Sequence, residues 1–134
     1  KIIEHQLNNN RVYVNDFINL DLVWNTGIGF GLFQSSSSLL YNSISLLIAF
    51  VILFLIYFSI ISYKFDKISF SLIIGGATGN FYDRMIFKAV PDFIDLHYNN
   101  FHWFVFNVSD ISITIGIILL LINELIKGKE KTDE

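Results

Sequence analysis

Two aspartates in this chain could do acid–base chemistry: Asp92, within VPDFID, and Asp110, at the end of FNVSD. They bracket a loop between two long apolar runs. Carboxylates at the edge of hydrocarbon are costly, so a chain that keeps several there has a use for them. Two close carboxylates cannot both ionise easily and share a proton, which lets one act as base and the other as acid. Such a pair can activate water against a peptide carbonyl. Each residue also has a structural reading. Asp110 precedes an apolar run, where Asp is a favoured cap and first-turn residue. Asp92 could be a solvated loop carboxylate after Pro91. Spacing alone does not choose between the readings.

The other polar groups offer less. Asn80, Asp83 and Arg84 close an apolar stretch, and an Asp–Arg pair with an Asn amide could fix local geometry through charge-assisted hydrogen bonds. A helix end reaching water is the plainer reading, and a structural role is favoured over a catalytic one. Asn25, before Thr26-Gly27, could donate hydrogen bonds into a site or simply make a turn. Gly75, Gly76, Ala77 and Gly79 form a small-residue face with GxxxG spacing, which lets membrane helices approach closely. Gly27, Gly29 and Gly31 sit at no strand-to-helix junction and no Lys follows, which argues against nucleotide binding. His97 and His102, with Asp92 and Asp95, carry ligating groups but form no HExxH pair, so no metal site is expected. No Ser lies in a GxSxG elbow. The absence of cysteine excludes disulfides, thiolate metal sites and a cysteine nucleophile.

These residues must be positioned by a membrane protein. Of the 134 residues 53% are hydrophobic and only 16% charged, where a soluble domain carries about 25% charged. Mean hydropathy is +0.54. The spacing predicts a single integral membrane domain, mainly α, with three transmembrane helices at 39–63, 66–84 and 108–126. About 20 apolar residues cross a bilayer, and Leu39–Tyr63 contains no charge. Lys64 and Lys67 in one turn, and Lys127, Lys129 and Lys131 in the tail, fall on one face after three crossings. The positive-inside rule makes that face cytoplasmic. The tail 127–134 then lies inside, with segment 1–38 and loop 85–106 outside. Ile2–Phe33 has short β-type runs with Asn and Gly breaks, suggesting a small extracytoplasmic sheet. The aromatic stretch His97–Phe106 suits the headgroup zone. A net charge of −3 without a basic stripe argues against nucleic acid.

The ordered set WNTGIGFGLF, GGATGNFYDR, VPDFIDLHY and FNVSDISITIG closely resembles the lipoprotein signal peptidases, the signal peptidase II family. The resemblance covers almost the whole chain. It implies a four-helix enzyme of the bacterial inner membrane with a small β-cradle, here lacking the first helix. It implies an aspartyl endopeptidase that cleaves diacylglyceryl-modified prolipoproteins before the lipidated cysteine, without metal or organic cofactor. The catalytic aspartates fall on Asp92 and Asp110, and the supporting residues on Asn25, Gly27, Asn80, Asp83, Arg84 and Asn107. Segment Met85–Phe106 becomes a gating loop with a short helix over the site. Prolipoprotein and membrane lipid are the expected partners, and a monomer the expected state. The chain opens on Lys1 and its sole Met is Met85, so a preceding segment is expected, with Lys1 as the last residue of an Asp-x-x-x-Lys pattern. Ser109 stands where Ala is usual, and Pro91 where an apolar residue is usual. The rival class is a non-enzymatic transport or assembly subunit whose polar residues line a pathway or hold helices together.

Overall fold

The computed structural model describes residues 11–27 and 38–130. Its elements are β1 (Val12–Asn15), β2 (Ile18–Asn25), α1 (Ser38–Ile61), α2 (Lys64–Phe87), β3 (Val90–Tyr98), β4 (Phe101–Phe106) and α3 (Val108–Glu130). Three long helices thus accompany one four-stranded antiparallel sheet in the order β1-β2-β3-β4. The chain divides into two compact units. One comprises residues 1–45 and 81–107, the other 46–80 and 108–134.

The sheet belongs to the first unit. Its β1–β2 turn is set by Asn15, whose Oδ1 accepts the backbone N–H groups of Phe17 and Ile18 at 2.9 Å each. Asn side chains stabilise turns in this way without help from the rest of the fold. Asn99 and Asn100 link β3 to β4, and Asn99 has φ 52°, a left-handed conformation that Asn tolerates better than most residues. Residues 90–106 therefore form a hairpin, not a gating loop carrying a short helix. The reason is local: VPDFIDLHY and FHWFVF are rich in the β-branched and aromatic residues that fit a pleated surface. Pairing of β2 with β3 brings Val23 opposite Asp92 and Asn25 opposite Val90. Lys88, at φ 60°, turns the chain out of α2 while its N–H still bonds the Arg84 carbonyl at 3.0 Å.

The second unit is helical. Leu39–Ile61 and Val108–Gly128 are long and apolar enough to cross a membrane, and only 11% of the most apolar window of each is buried. A core helix of a soluble protein would be mostly covered. Along α1 the outward side chains include Leu46, Phe50 and Leu53, a surface suited to lipid. Helix α2 has the same length as α1 but carries Lys64, Asp66 and Lys67 at its start and Asp83 and Arg84 near its end. Its interior from Ile68 to Tyr82 is free of charge.

Helices α2 and α3 meet through small residues. A Cβ on Gly76 would lie 2.5 Å from the Ser109 carbonyl oxygen, and one on Gly116 would lie 2.7 Å from the Ser69 carbonyl oxygen. Ser112 Oγ donates to the Leu72 carbonyl at 2.9 Å across the same contact. Further along, Lys127 Nζ pairs with Asp66 Oδ2 at 2.5 Å. Gly75 has open space where its Cβ would be. The small-residue face is thus Gly76 and Gly79 meeting α3, with Gly116 supplied by the partner helix, and not the Gly75–Gly79 spacing itself.

Candidate active site

Asp92 is buried, and both of its carboxylate oxygens accept side-chain amides. Asn25 Nδ2 donates to Oδ2 at 2.9 Å and Asn107 Nδ2 to Oδ1 at 2.6 Å. Strand pairing explains Asn25: it lies on the same face of β2 as Val23, the register partner of Asp92, hence diagonally across from the carboxylate. Its amide orientation is fixed as well. Asn25 Oδ1 accepts the Gly27 N–H at 2.9 Å, so the NH₂ end must face Asp92. Gly27 is held in turn by Arg84, whose Nη2 donates to its carbonyl while Nη1 donates to the Thr26 carbonyl at 3.2 Å. A continuous chain of hydrogen bonds therefore runs from Arg84 through Gly27 and Asn25 to Asp92. With Asn107, five residues picked out by the sequence are joined in one network.

Arg84 is itself buried, with its guanidinium 5.5 Å from the Tyr41 ring centroid. Tyr41 Oη donates to the Arg84 carbonyl at 2.5 Å. Nothing local in the sequence singles out Tyr41, because its role depends on a contact between residues 43 positions apart. Of the two readings of Asp83 and Arg84, the ion pair is not formed: among the described residues Arg84 contacts no carboxylate within ion-pair distance. Successive helical residues point about 100° apart and do not face one another. Asp83 is half-buried and outside the network.

Asp110 lies in the first turn of α3, where a carboxylate complements the helix dipole. Its side chain is buried, and Oδ1 accepts Asn80 Nδ2 from α2 at 2.8 Å. Asn80 Oδ1 is buried with no hydrogen-bond partner among the described residues, as is Arg84 Nε. An amide oxygen beside a carboxylate, ready to accept from a further donor, is the kind of orphan that marks a functional position. Asp110 and Asn80 belong to the helical unit, Asp92 and its partners to the sheet unit.

The family model for signal peptidase (SPase) II matches residues 1–126. This chain belongs to the signal peptidase II family. Among its relatives, the lipoprotein signal peptidase of Pelagibacter ubique (strain HTCC1062) is 51% identical over 123 residues, which is 92% of this chain and 74% of that protein. That of Francisella tularensis subsp. novicida (strain U112) is 39% identical, covering 89% and 76%. Among solved structures, a bacterial membrane enzyme determined by the in meso method at 2.3 Å superposes with a TM-score of 0.80 at 29% identity, covering 93% of this chain and 76% of the other. A second, at 1.9 Å, gives 0.72 at 30% identity, covering 87% and 75%. The signal peptidase II chain described here is therefore a membrane protein and a peptidase, a hydrolase of amide bonds.

A third carboxylate sits further along β3. Asp95 is buried, with His102 Nδ1 2.9 Å and Arg11 Nη2 3.2 Å from Oδ2. Burial pushes its carboxyl upward, but hydrogen bonds from His102 and Asn19 and the charges of His102 and Arg11 outweigh this and hold it below the ordinary carboxylate value. The Gly29 and Gly31 motif lies outside the described residues.

The Arg84 network makes a prediction for signal peptidase II. Lysine is a point charge and cannot span two carbonyls as the planar guanidinium does. Arg84→Lys is expected to lose one charge-assisted hydrogen bond, a loss of about 1.5–3 kcal/mol in stability, and to loosen Asn25. Thermal unfolding of the detergent-solubilised protein checks this; an unchanged transition would mean that Arg84 does not hold the Thr26–Gly27 turn.

Proposed function

We propose that this chain is an intramembrane aspartyl endopeptidase that removes signal peptides from diacylglyceryl-modified bacterial prolipoproteins, cutting before the lipidated cysteine. The observation that carries the reading is the setting of Asp92 and Asp110: both are buried, and amides grip both oxygens of one and an oxygen of the other. Amide donors favour the ionised form of a carboxylate and fix its oxygens in place, as the base of such a pair needs. A carboxylate so held can take up and release a proton in place, which acid–base catalysis requires.

In this mechanism Asp92 and Asp110 share one proton and hold a water between them. The ionised partner takes a proton from the water as its oxygen attacks the scissile carbonyl. The protonated partner donates to the developing oxyanion. The tetrahedral intermediate then collapses, the C–N bond breaks, and the leaving amine takes a proton from the pair. The two carboxyls titrate as a unit, so neither owns the shared proton. Chain connectivity is compatible with this pairing. Asn107, which donates to Asp92, is three residues before Asp110, at most about 11 Å of extended backbone.

The reading includes a topology. Three spans, 39–63, 66–84 and 108–126, cross the bacterial inner membrane with Lys64, Lys67 and the 127–134 tail in the cytoplasm. The sheet then lies at the extracytoplasmic face, where exposed Trp24, Phe101 and Trp103 suit the headgroup layer. The charged start of α2 is compatible with a membrane position because Asp66 is paired with Lys127. The lipid of the substrate lies against the apolar helix surfaces, and the chain works as a monomer.

The test uses membranes containing the protein as its gene encodes it. They are incubated with a preprolipoprotein in diacylglyceryl-modified and unmodified forms, and the products are read by gel mobility and mass spectrometry. Cleavage of the modified form alone, before its cysteine, is the expected result. If the folded protein leaves the modified substrate intact, or cuts both forms alike, the proposed cleavage of diacylglyceryl-modified prolipoproteins fails.

A further inference from the structure

Outside the residues assigned to catalysis, one cluster of side chains has ligand chemistry. Asp95 and His97 lie two apart on β3, and His102 is the register partner of His97 on β4. Their candidate ligand atoms all lie within 4.8 Å of one another. The two imidazoles stack with ring centroids 5.2 Å apart and planes 20° apart. Cross-strand partners on an antiparallel ladder are held at short, fixed separation by the backbone. The hairpin therefore sets the spacing of the two rings before any ligand arrives.

We propose that Asp95, His97 and His102 form a binding site for a borderline divalent cation such as zinc, with Asn19 able to add an amide oxygen. Zinc takes imidazole nitrogen and carboxylate oxygen at about 2.0–2.2 Å, usually in a tetrahedral arrangement. Tetrahedral bonds of that length separate neighbouring ligand atoms by about 3.4 Å. His102 Nδ1 is now 2.9 and 3.0 Å from the two Asp95 oxygens, so that pair needs to open by only a few tenths of an ångström. The widest pair must close by about 1.4 Å, within reach of rotation about the histidine side-chain bonds.

The groups around the cluster are compatible with an exchange of partners. Asn19 is buried between Asp95 and His97, and its Nδ2 lies 3.5 Å from Asp95 Oδ2 and 3.4 Å from His97 Nδ1. Both contacts are long for hydrogen bonds. Turning the amide would direct Oδ1 towards the cluster as a further ligand atom. Arg11 is the competing cation, 3.2 Å from Asp95 Oδ2, but it is half exposed and also contacts Asp21 at 3.4 Å. It can retreat to Asp21 when a metal takes Asp95. The bound cation ties β4 to β3, and through Asn19 to β2, and so stiffens the sheet.

The purified, detergent-solubilised chain is stripped with chelator and titrated calorimetrically with zinc chloride, and separately with Co(II) followed by visible absorption. One equivalent should bind at micromolar or tighter affinity, and Co(II) should give the intense band of a tetrahedral site. His97→Ala and His102→Ala should each weaken binding by about tenfold or more. Arg11→Gln should tighten it by removing the competing charge. Metal-free thermal unfolding of each variant confirms that it is folded, and the Co(II) spectrum requires no variant. Absence of binding, a faint octahedral spectrum, or wild-type affinity in both the His97 and His102 variants overturns the proposal. None of these results bears on cleavage by Asp92 and Asp110.

Discussion

Asp92→Asn and Asp110→Asn are each expected to reduce signal-peptide cleavage by about a thousandfold or more, a loss of about 4 kcal/mol of transition-state stabilisation. Asparagine has nearly the shape of aspartate but can neither take a proton from water nor give one to an oxyanion. In Asp92→Asn the side-chain oxygen can still accept one of the amides of Asn25 and Asn107, so the fold should survive. In Asp110→Asn the Asn80 amide keeps an acceptor in the same way. Because the pair works as a unit, the double variant should be little worse than either single one. Replacing Asn80 or Asn107 by Ala should do less harm, since those groups orient a carboxylate and carry no proton in the reaction. Initial rates on a modified preprolipoprotein, normalised to folded protein, decide the matter. Wild-type cleavage by either Asp variant would remove that residue from the mechanism. Normal folding with full activity in both would leave the polar network a purely structural task.

How much of this site was legible in the sequence differs from residue to residue. Asp92 and Asp110 stood out because ionisable groups are rare next to uncharged runs such as Leu39–Tyr63, and those runs announced the helices directly. Asn25 and Gly27 were nameable, but their job was not. It depends on Asn25 pairing with Val90, a register formed across 65 residues that no local pattern encodes. A contact across 43 residues likewise hides Tyr41, which supports Arg84. The strands Val90–Tyr98 and Phe101–Phe106 look like a loop in the sequence because aromatic residues serve both a membrane interface and a sheet. Only the pairing partner separates the two. That Asp83 and Arg84 do not pair has a simpler source, since adjacency in sequence is not adjacency on a helix.

The Gly75–Gly79 spacing was misleading in an instructive way, and the contact found in its place leads to the second large effect. Gly76→Val and Gly116→Val are expected to abolish accumulation of folded protein. At both positions the added Cβ meets backbone on the facing helix: the Ser109 carbonyl at 2.5 Å for Gly76, and the Ser69 carbonyl at 2.7 Å for Gly116. Backbone oxygen cannot rotate away, so the helices must separate. Membrane helices associate through close packing and have little hydrophobic drive between them, so separation removes much of what holds them. The Ala variants should be intermediate. Each gains up to about 1 kcal/mol of helix propensity against about 1–3 kcal/mol of overpacking. Gly79→Ala should be milder because its nearest neighbour, Ser109 Oγ at 2.8 Å, is a side-chain end that can turn. Gly75→Ala meets nothing within 4 Å and should be neutral or slightly stabilising. Gly76 carries a further consequence, because the carbonyl it touches belongs to the residue before Asp110. Gly76→Ala should therefore lose more cleavage than its drop in thermal stability explains, and Gly116→Ala, displaced along the helix from Asp110, should not. The measurement is the ordered series of unfolding temperatures in detergent, with cleavage rates on the folded fraction. A Gly75 variant worse than the Gly76 and Gly116 variants would mean that α2 presents a different face to α3, and the Asn80–Asp110 hydrogen bond would lose its structural basis.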